Sequence, residues 1–179
     1  MVRRALLLLL GTSLLDISAA AKDKKPPHGP LEMEAVVNGN TLVPVQAELA
    51  RWETAQRPGS ISQVGGPRST MNVVRIEHGK ANIRYSQGQQ VVFVQSLSGQ
   101  LKPDEFELWR FNSTGNMRET EAGPWNDPMR TRWNTLGFRG AKTRDGRWAL
   151  IASDLEPGEY CFALRNSDDN YCFGVDKKP

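Results

Sequence analysis

Residues Leu155 to Asp176 read LEPGEYCFALRNSDDNYCFGVD. Pro157-Gly158 opens the stretch with a turn signal. Tyr160, Phe162 and Leu164 then alternate with Cys161 and Ala163. After Arg165-Asn166-Ser167-Asp168, a second run sets Tyr171, Phe173 and Val175 against Cys172 and Gly174. A period of two marks a strand, and Asn, Ser and Asp between aromatic-rich runs are hairpin connectors. The stretch predicts an antiparallel β-hairpin.

Its register follows from burial. Tyr160, Phe162, Tyr171 and Phe173 belong on the face worth burying, and a slip of one residue would send one set to the other side. Pairing Phe162 with Tyr171 and Tyr160 with Phe173 meets that condition. It also sets Cys161 opposite Cys172. Facing residues of a non-hydrogen-bonded pair have Cα atoms roughly 4.5 Å apart, at the short end of what a disulfide tolerates. A Cys161–Cys172 bridge closes a short loop and adds about 2–3 kcal/mol at most. The alternative is two free thiols on a small-residue face.

A bridge requires an oxidising compartment, and the first residues speak to that. Arg3-Arg4 form a positive n-region. Ala5 to Leu15 form an apolar run too short to span a bilayer, and Ala19-Ala20-Ala21 fits a small-residue cleavage pattern. Residues 1–21 therefore read as a signal peptide, with an uncleaved anchor as the rival. Residues 22–30 (KDKKPPHGP) read as a basic, proline-rich linker. The chain of 179 residues carries a formal charge of +3. Arg3, Arg4 and Asp16 account for one of those charges, which leaves +2 on the exported part. That slight excess does not argue for nucleic acid as a partner.

Residues 31–176 read as one β domain. Leu31 to Val37 alternates, Asn38-Gly39 is a hairpin turn, and Pro44 marks the return strand as an edge. Residues 46–56 fit a helix or a continuing strand, and the β signals on both sides favour the strand. Residues 57–70 hold Pro58-Gly59 and Gly65-Gly66-Pro67 and read as a long loop. Strands are expected at Asn72–Ile76, Ala81–Tyr85, Val91–Gln95 and Phe106–Phe111, with a return at Met117–Glu121 and a further strand from Trp148. Val91 to Gln95 is apolar on both faces, which marks a central strand. Residues 122–144 show no regular period. Short strands between Gly, Asn, Asp and Pro turns argue for a sandwich or a barrel-like sheet. The expected fold is all-β: a single antiparallel β-sandwich, Ig-like in broad architecture, after the signal peptide.

The residues point to no cofactor and no metal. His28 sits in the linker and His78 in a turn, with no Gly-x-Ser-x-Gly elbow for a hydrolase and no Gly-rich phosphate loop. A zinc site would need His78 beside both cysteines and would still be incomplete. Asn166 to Asn170 supplies oxygen ligands but lacks the EF-hand pattern. Asn112-Ser113-Thr114 matches the N-glycosylation acceptor pattern.

The densest chemistry lies in residues 123–148. Trp125, Trp133 and Trp148 mix there with Arg130, Arg132, Arg139, Lys142, Arg144 and Arg147, against only Asp127 and Asp145. Arginine and tryptophan together supply planar donors, stacking faces and cation–π contacts. Trp125, Arg130, Arg132, Trp133, Arg139 and Arg147 are the candidate binding residues, for an anionic glycan or an acidic envelope protein. The competing arrangement has these tryptophans plugging one end of the fold under arginine stems. The expected function is a non-enzymatic binding or structural module, periplasmic or secreted. The alternative is a hydrolase of an envelope or extracellular polymer with paired carboxylates, and a third option is a subunit that completes a partner's sheet at the Pro44 edge.

Overall fold

The computed structural model describes residues 31–56, 70–95, 101–122, 134–165 and 167–178. The expected signal peptide, the linker, and Trp125, Arg130, Arg132 and Trp133 lie outside these residues. The described chain is all-β, with one 3-10 turn at Pro103–Glu105. There Lys102 donates its backbone N–H to Glu105 Oε1 at 2.8 Å, and the Glu105 N–H returns a bond to the Lys102 carbonyl at 3.0 Å. Among the described residues no helix is long and apolar enough to cross a membrane.

The closing hairpin is β12 (Gly158–Leu164) and β13 (Asp169–Asp176). Tyr160 pairs with Phe173, Cys161 with Cys172 and Phe162 with Tyr171, as the aromatic alternation predicts. Cys161 and Cys172 form a disulfide with Cα atoms 4.0 Å apart. Two layers meet on this hairpin. The first is an antiparallel five-stranded sheet built from β1 (Met33–Val37), β2 (Thr41–Val45), β6 (Val91–Gln95), β10 (Arg139–Lys142) and β11 (Trp148–Ala152). Its order is β10-β11-β6-β1-β2. β6 is central, as its two apolar faces require, and β2, which carries Pro44, is an edge.

The second layer departs from an Ig-like sandwich. β12 pairs with β13, β13 with β3 (Glu48–Gln56), β3 with β4 (Thr70–Glu77), β4 with β8 (Met117–Glu121), β8 with β7 (Phe106–Thr114), and β7 returns to β12. Six antiparallel strands thus close into a small barrel. β9 (Thr135–Leu136) adds to the edge of β7, and β5 (Ile83–Ser86) runs parallel to β13. Closure removes the open edges that a second flat sheet would present.

The hairpin is the wall between two cores. Tyr160, Phe162, Tyr171 and Phe173 are each at most 1% exposed. They pack with Met33, Ala35, Phe93 and Leu150 of the five-stranded sheet. Phe93 stands 5.3 Å from Phe162 and 5.4 Å from Phe173, ring centre to ring centre. Both tyrosine hydroxyls of the hairpin find acceptors: Tyr160 donates to the Glu156 carbonyl and Tyr171 to the Leu31 carbonyl, both at 2.7 Å. Fully burying such a ring stabilises by roughly 1.5–3 kcal/mol. The opposite face, with both cysteines, joins Ala50, Val74, Ile76, Trp109 and Phe111 inside the barrel. The cysteine face is therefore as buried as the aromatic one.

Residues 122–144, irregular in sequence, contain β9 and β10. β10 reads Arg-Gly-Ala-Lys and lacks apolar alternation because it is a short edge strand. Gly140 lets Pro103 lie against it, since a Cβ there would meet the proline ring at 2.0 Å.

Candidate functional site

Of the six candidate binding residues, Arg139 and Arg147 are described, and both belong to the β10–β11 hairpin region. Arg147 precedes β11 and is taken up by acids: it donates to Glu34 at 2.9 Å and to Asp145 at 2.6 Å. The Thr143 hydroxyl and then the Arg147 guanidinium hold the Asp145 carboxyl below the usual carboxylate range. This network fastens the β10–β11 turn to β1. Arg147 is a structural brace, three-quarters buried.

Arg139 differs. Nine arginines lie among the described residues, and seven make ion pairs with carboxylates. Arg139 and Arg144 are the two that make none, and both are exposed. They flank Lys142, whose ammonium sits 5.2 Å from the Trp148 ring centre. Among the described residues the two unpaired guanidinium groups thus lie on one hairpin, which also carries Trp148.

Ala122 and Asn134 are both tied to the barrel. The Ala122 N–H donates to the Asn72 carbonyl at 2.8 Å. The Asn134 side chain donates to the Glu121 carbonyl at 2.9 Å, and the Asn134 carbonyl accepts from the Arg110 N–H at 3.1 Å. The chain then runs through β9 into β10, so the basic stretch continues from barrel to sheet.

A second feature gave no sequence signal. β13 shares its outer edge between β3, at Asp169–Asn170, and β5, at Phe173–Asp176. Where β3 and β5 part, a cleft of about 690 Å³ opens, lined by Val45, Glu48, Leu49, His78, Ile83 and Cys172 among others. Behind it lies Arg118, fully buried in the barrel. Its Nε donates to the His78 carbonyl at 2.8 Å and its Nη2 to the Glu77 carbonyl at 3.3 Å and to Glu48. Nη1 has no partner. Arg118 thereby fixes the turn at His78, whose φ is +69°. The cleft gathers two carboxylates, the raw material of a polymer hydrolase, yet Glu48 is committed to Arg118 and Glu77 to Arg51. Glu48 and Arg118 lie 70 residues apart. Only the alternation of Arg118 and Thr120 with Glu119 and Glu121 hinted that β8 has an inward face.

Among the described residues no group of three or more His, Cys, Asp or Glu is placed to hold a metal ion. Asn112, the glycosylation candidate, is exposed at the end of β7. The chain matches no family model, no curated protein and no solved structure.

Proposed function

We propose that this protein is an exported, non-enzymatic binding module of the cell envelope or extracellular space. It takes an anionic glycan or an acidic partner at the β10–β11 hairpin, within the 123–147 stretch singled out by its sequence. The observation that carries this reading is the segregation of arginine pairing. Elsewhere among the described residues each guanidinium meets a carboxylate, while Arg139 and Arg144 stand exposed without one. With no acid of their own fold to hold them, these two guanidinium groups are available to a bound carboxylate or sulfate. The disulfide fits export, because such bridges persist in oxidising compartments. Trp125, Arg130, Arg132 and Trp133, the other candidates of the same stretch, lie outside the described residues.

The test is binding of the chain without residues 1–21 to an immobilised polyuronate, over a range of salt concentrations. Arg139→Ala/Arg144→Ala and Trp133→Ala are run beside the wild type. Binding should weaken with salt, and the double variant should bind about tenfold more weakly, as expected for two charge-assisted contacts. Equal retention of wild type and double variant at every salt concentration rules the surface out.

A further inference from the structure

The five-stranded sheet has two faces, and the closing hairpin covers one. Met33, Ala35, Phe93 and Leu150 point into the shared core. Side chains alternate along a strand, so the residues between them point the other way. In an antiparallel sheet that outer face is commonly solvated and polar. Here it is mostly aliphatic. Arg139 pairs with Ile151 and Ile151 with Val92, while Val36, one step beyond the Ala35–Phe93 pair, pairs with Leu42. These five residues form one row across the sheet, four strand spacings or roughly 19 Å long. Ile151, Val92 and Val36 are half-buried, and Leu42 is 41% exposed. Four aliphatic side chains thus lie side by side, with the unpaired Arg139 at one end.

The neighbouring row is finished differently. There Ala149 pairs with Val94 and Val94 with Glu34. Arg147 reaches across β6 to Glu34 at 2.9 Å, and Val94 and Ala149 are each 4% exposed. The row of Val92 has no such bridge among the described residues. A contiguous apolar strip with a charged rim is a surface for another macromolecule, and Arg139 suits a carboxylate there. Arg139 apart, the row has no aromatic ring and no hydrogen-bonding side chain. A sugar laid on it would strip water from its hydroxyls with no bond in return, whereas aliphatic side chains are favoured there by leaving water. A second copy of the chain, packed face to face, lacks the acid. Glu34 is the one carboxylate in these five strands, and Arg147 holds it.

We propose that the outer face of the five-stranded sheet docks an acidic protein partner, whose aliphatic side chains lie on Ile151, Val92, Val36 and Leu42 and whose carboxylate meets Arg139. This rests on the acidic-partner form of the function proposed above. The experiment is selection on the chain without residues 1–21 from a displayed library of random peptides of about 16 residues, which cross the row even as a helix of roughly 24 Å. The selected peptides are then made and titrated by calorimetry. They should combine Leu, Ile or Val with Asp or Glu, and bind with a negative heat-capacity change. Val92→Thr/Ile151→Thr should bind them about tenfold more weakly than wild type, and Arg139→Ala should weaken them too. Leu42→Ser repeats the test at the exposed end of the row, where folding is not at risk, and should weaken binding by about threefold. Failure to enrich acidic aliphatic peptides, or equal binding by wild type, the folded aliphatic double variant and Leu42→Ser, overturns the proposal. The anion surface then survives if polyuronate retention still needs Arg139 and Arg144, and both readings fall if it does not. Self-association of the wild type that Val92→Thr/Ile151→Thr abolishes puts a second copy on this face and overturns the acidic partner.

Discussion

Replacing Glu48 by alanine removes the one acid, among the described residues, that pairs with the buried Arg118 guanidinium. The cation would stay inside the barrel, fully screened from water, with only the His78 and Glu77 carbonyls as acceptors. Stripping one partner from a fully buried ion pair costs about 3–5 kcal/mol. The Glu48 side chain is one quarter exposed, so water can partly replace it, and about 2–3 kcal/mol is the expected loss. Arg118→Met should cost less, because it removes the buried charge and leaves Glu48 with access to solvent. In the double variant the two losses should fall short of additivity by about 2 kcal/mol. The assay is urea unfolding under oxidising conditions, followed by tryptophan fluorescence. Glu156→Ala is the control, since its pair with Arg110 is exposed on both sides and should contribute below about 1 kcal/mol. Added salt should erase the control effect and spare the Glu48 effect. If Glu48→Ala costs no more than Glu156→Ala, or if the two losses simply add, Arg118 does not depend on Glu48 and the barrel is wetter than described.

Two further outcomes are expected. All three tyrosines of the chain are buried, and burial pushes the Tyr85 phenol up to about 12 and raises those of Tyr160 and Tyr171. The unfolded chain loses these protons near pH 10 while the folded chain keeps them, so stability is intact below pH 10 and falls as the pH rises toward 12. Ultraviolet titration should show a phenolate step near pH 10 only in denaturant; a native step there means the rings are open to water. Gly174→Ala would put a Cβ 1.7 Å from the Arg84 guanidinium, which is tied to the buried Glu159 and to Asp176. Displacing it should lower stability by about 1–3 kcal/mol, read by thermal unfolding, and an unchanged midpoint would show that Arg84 shifts without loss.

The closing hairpin was legible because its aromatic residues alternate and its two cysteines fall at matching places in the register. The Asn38-Gly39 turn and the edge position of Pro44 were legible for similar local reasons. Barrel closure was not. It depends on short pairings between distant segments, such as Asp169–Asn170 with Glu48–Leu49, and no local pattern announces them. β10 escaped because an exposed edge strand has no apolar face to alternate. At the candidate surface, residue composition named Arg139 and Arg147 alike, and the structure leaves Arg139 exposed. Composition could not separate it from Arg147, whose acids Glu34 and Asp145 come from different parts of the chain.

The central structural claim is that one hairpin serves both cores, so that sheet and barrel open together. Native-state amide exchange tests this most directly. The slow amides of β6 and β11 in the sheet should share one opening free energy with those of β4 in the barrel and of β12 and β13 between them. Exchange of the sheet at a distinctly lower free energy than the barrel would mean that the two layers are only neighbours, and the shared wall would be refuted.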